Sequence, residues 1–353
     1  MLQIKINLVF AAVMLLSIAL CGCETVHYYG QAIYGQYSII LKRKPIAEII
    51  ADPESSPLLR ERLAFILAVR QFAASELHLP VKNNYLTYVE LERPYVVWNV
   101  FAAPEFSLTP KTWCYPVAGC ASYRGYFSEK NAHQYAAGLE DGGYDVYVAG
   151  VTAYSTLGWF DDPVLSSFIH YSKAQSAGLI FHELAHQLLY VKDDTVFNES
   201  FATAVEQEGL RRWQQAAEAS QIYRDYLTRY RRQQQFVQLI MDYRQALEIL
   251  YRTDAAPSVK RDKKAAILSE LRDEFERMNT NEMDLSAYAG WIYQDLNNAK
   301  IGSVTEYHTF VPAFQKMLAR NDGDLDRFYQ ECRQLGQKKK DERRRRLNAY
   351  LDK

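Results

Sequence analysis

Phe181-His182-Glu183-Leu184-Ala185-His186-Gln187, followed by Phe197-Asn198-Glu199-Ser200-Phe201-Ala202, decides the reading of this chain. Side chains four apart on a helix share a face, so His182 and His186 present two imidazoles at the spacing that grips one metal ion. The run from Ser172 to Tyr190 supports a helix: apolar residues fall at Leu179, Ile180, Leu184, Leu188 and Leu189, and no Pro interrupts it. Glu183 stands roughly a sixth to a third of a turn off the ligand face, out of position to bind the metal but within reach of a water held there, for which it is the expected general base. Glu199, beyond a break at Val191 to Thr195, brings a carboxylate from a second, antiparallel helix and closes a His2Glu set. Such a set favours one zinc ion and leaves a coordination position open, which separates catalytic from structural zinc. Glu206 shares a face with Glu199 and is the rival third ligand; Glu199 is preferred because it lies nearer the turn that reverses the chain.

Outward from this stretch, Met1 to Gly22 reads as an export signal. Lys5 and the free amine precede Leu8 to Leu20, an apolar run with the length of a signal-peptide core and too short to span a bilayer. Leu20-Cys21-Gly22-Cys23 fits a bacterial lipobox, so the mature chain is expected to begin at a lipidated Cys23 and to hang from a membrane by its acyl chains. Glu24 stands where an Asp commonly favours inner-membrane retention, which points to the periplasmic face of the outer membrane. Cys114 and Cys120, with Pro116 and Gly119 between them, are expected to form a short-loop disulfide in that oxidising compartment, the alternative being two buried thiols. Cys332 is left over as a buried small hydrophobe.

A composition 48% hydrophobic and 13% aromatic, with a formal charge of −1, suits a folded enzyme domain and gives no sign of a nucleic-acid partner. After the signal, residues 23–353 read as one domain: helices over 23–80, a sheet-containing lobe over 84–165, a helical lobe with the metal site over 170–336 and a charged tail over 337–353. Lys42, Arg43 and Lys44 read as a solvated helix end, with lipid headgroups as the alternative partner. Runs at 85–91, 95–101, 112–117, 122–127 and 145–149 read as strands of one small, mainly antiparallel sheet, with a helix at about 128–139. The loop from Gly150 to Pro163 offers an edge along which a peptide substrate could lie, and Tyr154, Ser155 and Trp159 are its candidate cleft-wall residues. Helices are expected at about 260–278, 285–297, 303–319 and 324–336. The tail, where Asp341 and Glu342 interrupt Lys338 to Lys340 and Arg343 to Arg346, reads as a frayed, solvated helix. The expected class is α+β: N-terminal helices, the sheet, the metal helix, and a largely helical C-terminal half.

Asn198-Glu199-Ser200-Phe201-Ala202 after His182-Glu183-Leu184-Ala185-His186 resembles the gluzincin arrangement, in which Asn-Glu-x-x-Ala supplies the third ligand. The metzincin pattern is excluded by Leu189 and Lys192, where it needs Gly and His. More narrowly, Cys23, Tyr28-Tyr29-Gly30-Gln31, Trp98-Asn99-Val100, Trp113-Cys114, Tyr123 to Phe127, Ala153 to Pro163 and the motif helix resemble a family of bacterial lipoproteins labelled as predicted aminopeptidases. The resemblance implies zinc-assisted peptide hydrolysis with Glu183 as general base. It also calls for a donor to the developing oxyanion, for which Tyr307 and His308 are the candidates and Tyr154 the rival. An amine-anchoring carboxylate is sought among Glu105, Asp161 and Asp162. A zinc endopeptidase acting on envelope proteins and a non-catalytic zinc-binding lipoprotein are the competing readings. Glu183 argues against the last, because a structural zinc site has no use for an acid beside its ligand.

Overall fold

The computed structural model describes residues 24–115, 119–156, 158–217, 220–280, 283–305 and 309–351. In chain order, a helix over residues 24–41 (α1) is followed by Lys44–Pro45 (β1), Ile46–Ala51 (α2), Pro57–Ser75 (α3), Thr87–Val89 (β2), Val97–Pro104 (β3), Trp113–Tyr115 (β4), Gly119–Ala121 (β5), Tyr123–Tyr126 (β6), Glu129–Asp141 (α4), Tyr144–Val151 (β7) and Val164–Leu165 (β8). The second half holds Lys173–Leu188 (α5), Thr195–Ala217 (α6), Ser220–Tyr251 (α7), Pro257–Met278 (α8), Ala289–Ile292 (α9), Asn298–Thr305 (α10), Val311–Arg320 (α11), Leu325–Gly336 (α12) and Lys340–Leu351 (α13). The class is α+β with a helical C-terminal half.

β3 is the centre of the main sheet, antiparallel to β6 on one side and to β7 on the other. Its side chains alternate between two helical covers: Trp98, Val100 and Ala102 pack with Ala132 and Ala136 of α4, while Phe101 and Ala103 pack with Ala299 of α10. A strand covered on both faces needs apolar residues throughout, and all of β3 but its last residue is buried. The five expected strands do not join one sheet. β2 lies between β1 and β8, antiparallel to the first and parallel to the second, and β4 pairs with β5 in a separate hairpin that carries the Cys114–Cys120 disulfide. Composition marks which segments extend, but edge pairing depends on contacts far apart in sequence.

Two further expectations fail for local reasons. The helix expected at 285–297 shrinks to α9 and a turn before it, and that at 303–319 divides into α10 and α11. Pro312 sits in the first turn of α11, where its missing N–H is harmless; inside one continuous helix it would break the ladder. The main core runs from Ile39 to Leu347 and joins α3, β2, α5, α6, α11 and α12; a second lies among α7, α8, α9 and α10 around Phe236, Leu271, Phe275 and Ile292.

The charged tail is not a frayed, solvated helix. α13 buries Arg343 and Leu347, four apart and so on one face. Arg343 forks onto the buried Asp194 carboxylate through Nε and Nη2, at 2.9 and 2.7 Å. Arg343→Met leaves Asp194 buried without its cation and is expected to lower unfolding free energy by about 3 kcal/mol in urea melts. The same change at the exposed Arg344 stays within about 0.5 kcal/mol, and adding Asp194→Leu to Arg343→Met recovers much of the loss.

Lys300 of α10 is a second buried cation, its ammonium standing 5.2 and 5.0 Å from the Tyr147 and Trp291 ring centres. Burial pushes its pKa down from 10.5 to about 8. Below about pH 8 folded and unfolded chains both hold this proton; between about 8 and 10.5 only the unfolded chain does, so stability from this group rises with pH across that window. Lys300→Met is therefore expected to melt above the wild type near neutral pH, and thermal melts should show that advantage shrinking as the pH approaches 10.5.

Candidate metal centre

α5 starts in a capping box: Ser172 Oγ accepts from the Gln175 amide at 3.3 Å, and Gln175 Oε1 accepts from the Ser172 amide at 3.2 Å. Ala177, Ile180, Phe181, Leu184 and Ala185 are buried in the main core, which fixes the rotation of the helix and turns His182 and His186 toward α6. The helices lie close because glycine stands where they meet. A Cβ on Gly178 would come within 3.0 Å of Glu206, and one on Gly209 within 2.6 Å of Phe181 and 2.8 Å of Leu77.

The reversal between α5 and α6 is held from several sides. Asn198 Oδ1 accepts from the Val191 amide at 2.7 Å and its Nδ2 donates to the Val191 carbonyl at 2.8 Å, so one side chain replaces a backbone partner on both counts. Asp193 sits in the left-handed region at φ 65°, its carboxylate accepting from the Cys120 amide and its carbonyl from Lys340 Nζ at 2.8 Å. Asp194 accepts from the Phe197 amide at 3.4 Å at the start of α6 and meets Arg343 on its other side. Glu199 follows one residue after Asn198, so the same lock sets its position.

His182 Nε2, His186 Nε2 and a carboxylate oxygen of Glu199 lie within 4.8 Å of one another. The two nitrogens are 3.1 Å apart, and Glu199 Oε2 is 3.2 Å from the first and 3.6 Å from the second. Glu206 Oε2 is 3.3 Å from His182 Nδ1, on the other side of the ring, where it orients the imidazole without competing for Nε2. Burial by itself would push the His182 pKa down, but the hydrogen-bonded carboxylates of Glu199 and Glu206 raise it well above the ordinary value. Burial would likewise raise Glu199, and the imidazoles of His186 and His182 instead hold its carboxyl far below the usual range. Glu183 is buried beside them; burial raises its pKa, opposed by His186 and His182.

The other candidate residues are less tightly gathered. Asp162 accepts from Gln187 Nε2 at 3.0 Å and from Thr156 Oγ1 at 2.7 Å, which ties the loop of residues 152–163 to α5 one residue beyond His186. Ser155 Oγ reaches the same carboxylate at 3.4 Å. Tyr154 donates to Gln36 of α1 and packs edge-on to Phe127, so its hydroxyl is engaged elsewhere, and Trp159 is exposed. Glu105 is committed to Arg261 of α8, while the Asp161 carbonyl accepts from Arg43. Cys23, Tyr307 and His308 lie outside the described residues.

Two tyrosines near the centre escaped the sequence reading. Tyr190, four residues after His186, has its pKa raised by burial and by the neighbouring charge of Glu199. Tyr85 is buried at a left-handed φ of 60°, its pKa raised well above the ordinary value by burial, then by Glu183 and Asp162. Tyr190 could have been found by its spacing from His186; Tyr85 carries no local signal, since only the fold brings it near Glu183.

The sequence profile described as "Putative aminopeptidase" matches residues 27–347, and the chain belongs to that family. That match spans both ligand-bearing helices and the sheet. No curated protein and no solved structure matches the chain.

Close approach of α5 and α6 should be sensitive to a single methyl group. Gly209→Ala overpacks against Phe181 and Leu77 and is expected to destabilise by about 1–3 kcal/mol in denaturant melts. Gly138→Ala, inside α4 with open space around it, removes only a helix penalty and is expected to stabilise by about 0.5–1 kcal/mol.

Proposed function

We propose that this chain is a zinc-dependent aminopeptidase, anchored by a lipid on Cys23 and facing the periplasm from the outer membrane. The observation that carries the proposal is the convergence of His182 Nε2, His186 Nε2 and Glu199 on one point, with Glu183 beside it. The donor set fits the ion. Two imidazole nitrogens 3.1 Å apart with a carboxylate against both must otherwise share protons, and a dication bound there replaces them. Two nitrogens and one carboxylate oxygen suit zinc, and the family match supports hydrolysis at a free amino terminus.

These three residues would hold zinc, which would supply a Lewis acid and lower the pKa of a water toward about 7. Glu183, buried beside the three ligand atoms, is the group that would accept the proton of the attacking water and return it to the leaving amine. Glu206 keeps the His182 ring in the orientation that directs Nε2 inward. Tyr190, which feels the charge of Glu199, and Tyr85, which feels that of Glu183, are the phenols to test as donors to the oxyanion that would develop on the substrate carbonyl. Of the candidate acids Glu105, Asp161 and Asp162, Asp162 is the one whose carboxylate is bonded to the motif helix, through Gln187, and from it an amine subsite could be built.

The test compares a free-amine peptide with its N-acetylated twin, using detergent-solubilised full chain and its Glu183→Gln variant, with bound zinc quantified in each. Cleavage of the free-amine peptide alone, reduced at least about a hundredfold in Glu183→Gln while zinc stays bound, is the expected result. Equal cleavage of both peptides would replace the aminopeptidase with an endopeptidase, stoichiometric zinc without any cleavage would leave a binding protein, and absence of metal would end the reading. Glu206→Ala is expected to weaken zinc binding about 10- to 100-fold in competition with a chelator, since the ring it orients loses its acceptor and is then free to turn.

A further inference from the structure

α1 packs against the sheet lobe with one face, and its other face has no partner among the described residues. Val26, Tyr29, Ile33, Tyr34, Tyr37 and Leu41 fall within an arc of about 140° on a helical projection, and their exposure runs from 37% to 75%. No formal charge lies within that arc. Glu24, the one Asp, Glu, Lys or Arg in α1, points to the inner side, where it pairs with Arg124 at 3.0 Å.

The helix cannot roll to hide this face. Gly35 lies so close to Phe127 that a Cβ there would collide with its ring. Gln31 Oε1 accepts from the Phe127 amide at 2.9 Å, and the Arg124 guanidinium stands 4.2 Å from the Tyr28 ring centre. The apolar stripe is therefore presented outward by a rigid mount.

We infer that the outer face of α1 rests on the surface of a phospholipid bilayer, with its tyrosines at the headgroup level, and so holds the domain in one orientation above the membrane. The inference rests on the lipid-anchor part of the proposed function. Three observations select this occupant. Cys23 immediately precedes α1, so a lipid there brings the first turn of the helix to the bilayer. Tyrosine favours the membrane interface, where its ring is in apolar surroundings and its hydroxyl is wet. Lys42, Arg43 and Lys44 follow α1 directly; Lys42 pairs with Glu92 at 3.4 Å and Arg43 donates to the Asp161 carbonyl, so Lys44 is the cation at this end of the stripe offered to an anionic headgroup. No described helix is long and apolar enough to cross a membrane, which agrees with α1 lying on the surface. Arg43, just past the helix, donates to the Asp161 carbonyl, which brings the loop with the exposed Trp159 and Phe160 next to this end of α1.

The test uses the full chain, purified from bacterial membranes and reconstituted in phosphatidylethanolamine–phosphatidylglycerol vesicles containing a lipid with a nitroxide quencher at shallow depth. An environment-sensitive dye is placed on Tyr34→Cys, and on Asp273→Cys of α8 as an exposed control. The dye at position 34 is expected to lose about half its emission while that at 273 is unchanged. Adding Ile33→Glu should restore the emission at 34 without altering the melting temperature or peptide cleavage. Vesicle flotation and the mass of the N-terminal peptide report the anchor separately. Flotation with an acylated Cys23 but no quenching at 34 would overturn the α1 inference and leave the anchor standing. Quenching at 34 in a chain whose Cys23 carries no acyl group would support the α1 face and remove the anchor. A dye at 34 already shielded without vesicles, or cross-linking of position 34 between two copies, would assign the face to the chain's own N-terminal segment or to a second copy and overturn the inference.

Discussion

Twelve residues separate His186 from Glu199, and within them the chain must leave one helix, reverse and enter the next with both helices in contact. Everything at the candidate centre depends on that reversal being rigid. Its backbone is bound at Val191 by Asn198, its Asp193 carboxylate accepts from the Cys120 amide of the disulfide hairpin, and Arg343 holds Asp194 from a helix 149 residues away in sequence. A buried ion pair is weak evidence of stability, because desolvating two charges offsets much of their attraction. It is strong evidence of placement, since a guanidinium fork satisfied by a buried carboxylate admits few other arrangements. The C-terminal helix is in this sense a support for the ligand-bearing turn.

The same logic joins the sheet to the rest. Asp145 of β7 accepts from Lys264 of α8 and, at 2.7 Å, from the backbone amide of Asn298 at the start of α10. Asn298 in turn donates to the carbonyls of Pro104 and Glu105 at the end of β3. Polar groups at the sheet edge are thus satisfied by the helices that cover it, and the sheet lobe and second core are held as one body. β2 and β8 of the small sheet lie in the same core as α5 and α6, so α5 is packed on both N-terminal and C-terminal material.

Much of this was legible in the chain. Helical period identified α5, read from Ser172 onward, with both imidazoles, and the run rich in Tyr, Val, Trp and Phe at 95–101 marked β3 as a strand. The tail shows why other parts were not. Its composition is that of a solvated helix, and average composition hides a single inward arginine; the pairing of Arg343 with Leu347 on one face was present in the sequence, but nothing local named Asp194 as the partner. The strand runs failed as a group for a related reason. Tyr, Val and Trp favour extended backbone wherever they occur, while the division into two sheets and a hairpin is settled by which edges the intervening helices bring together.

The sequence by itself determined the candidate ligand types, the helix that carries two of them, the acid beside them, and two carboxylates on one face of the following helix. Periodicity treats Glu199 and Glu206 as equivalent, because residues seven apart lie on nearly the same side of a helix. Its place nearer the turn favoured Glu199, and the tertiary structure gave each carboxylate its own partner. The locked turn and the glycine contacts at Gly178 and Gly209 set how far α6 slides along α5, and at that offset Glu199 meets the Nε2 atoms while Glu206 meets Nδ1 of His182. The choice is one of distance along two packed helices, and distance between elements is what a linear pattern does not encode.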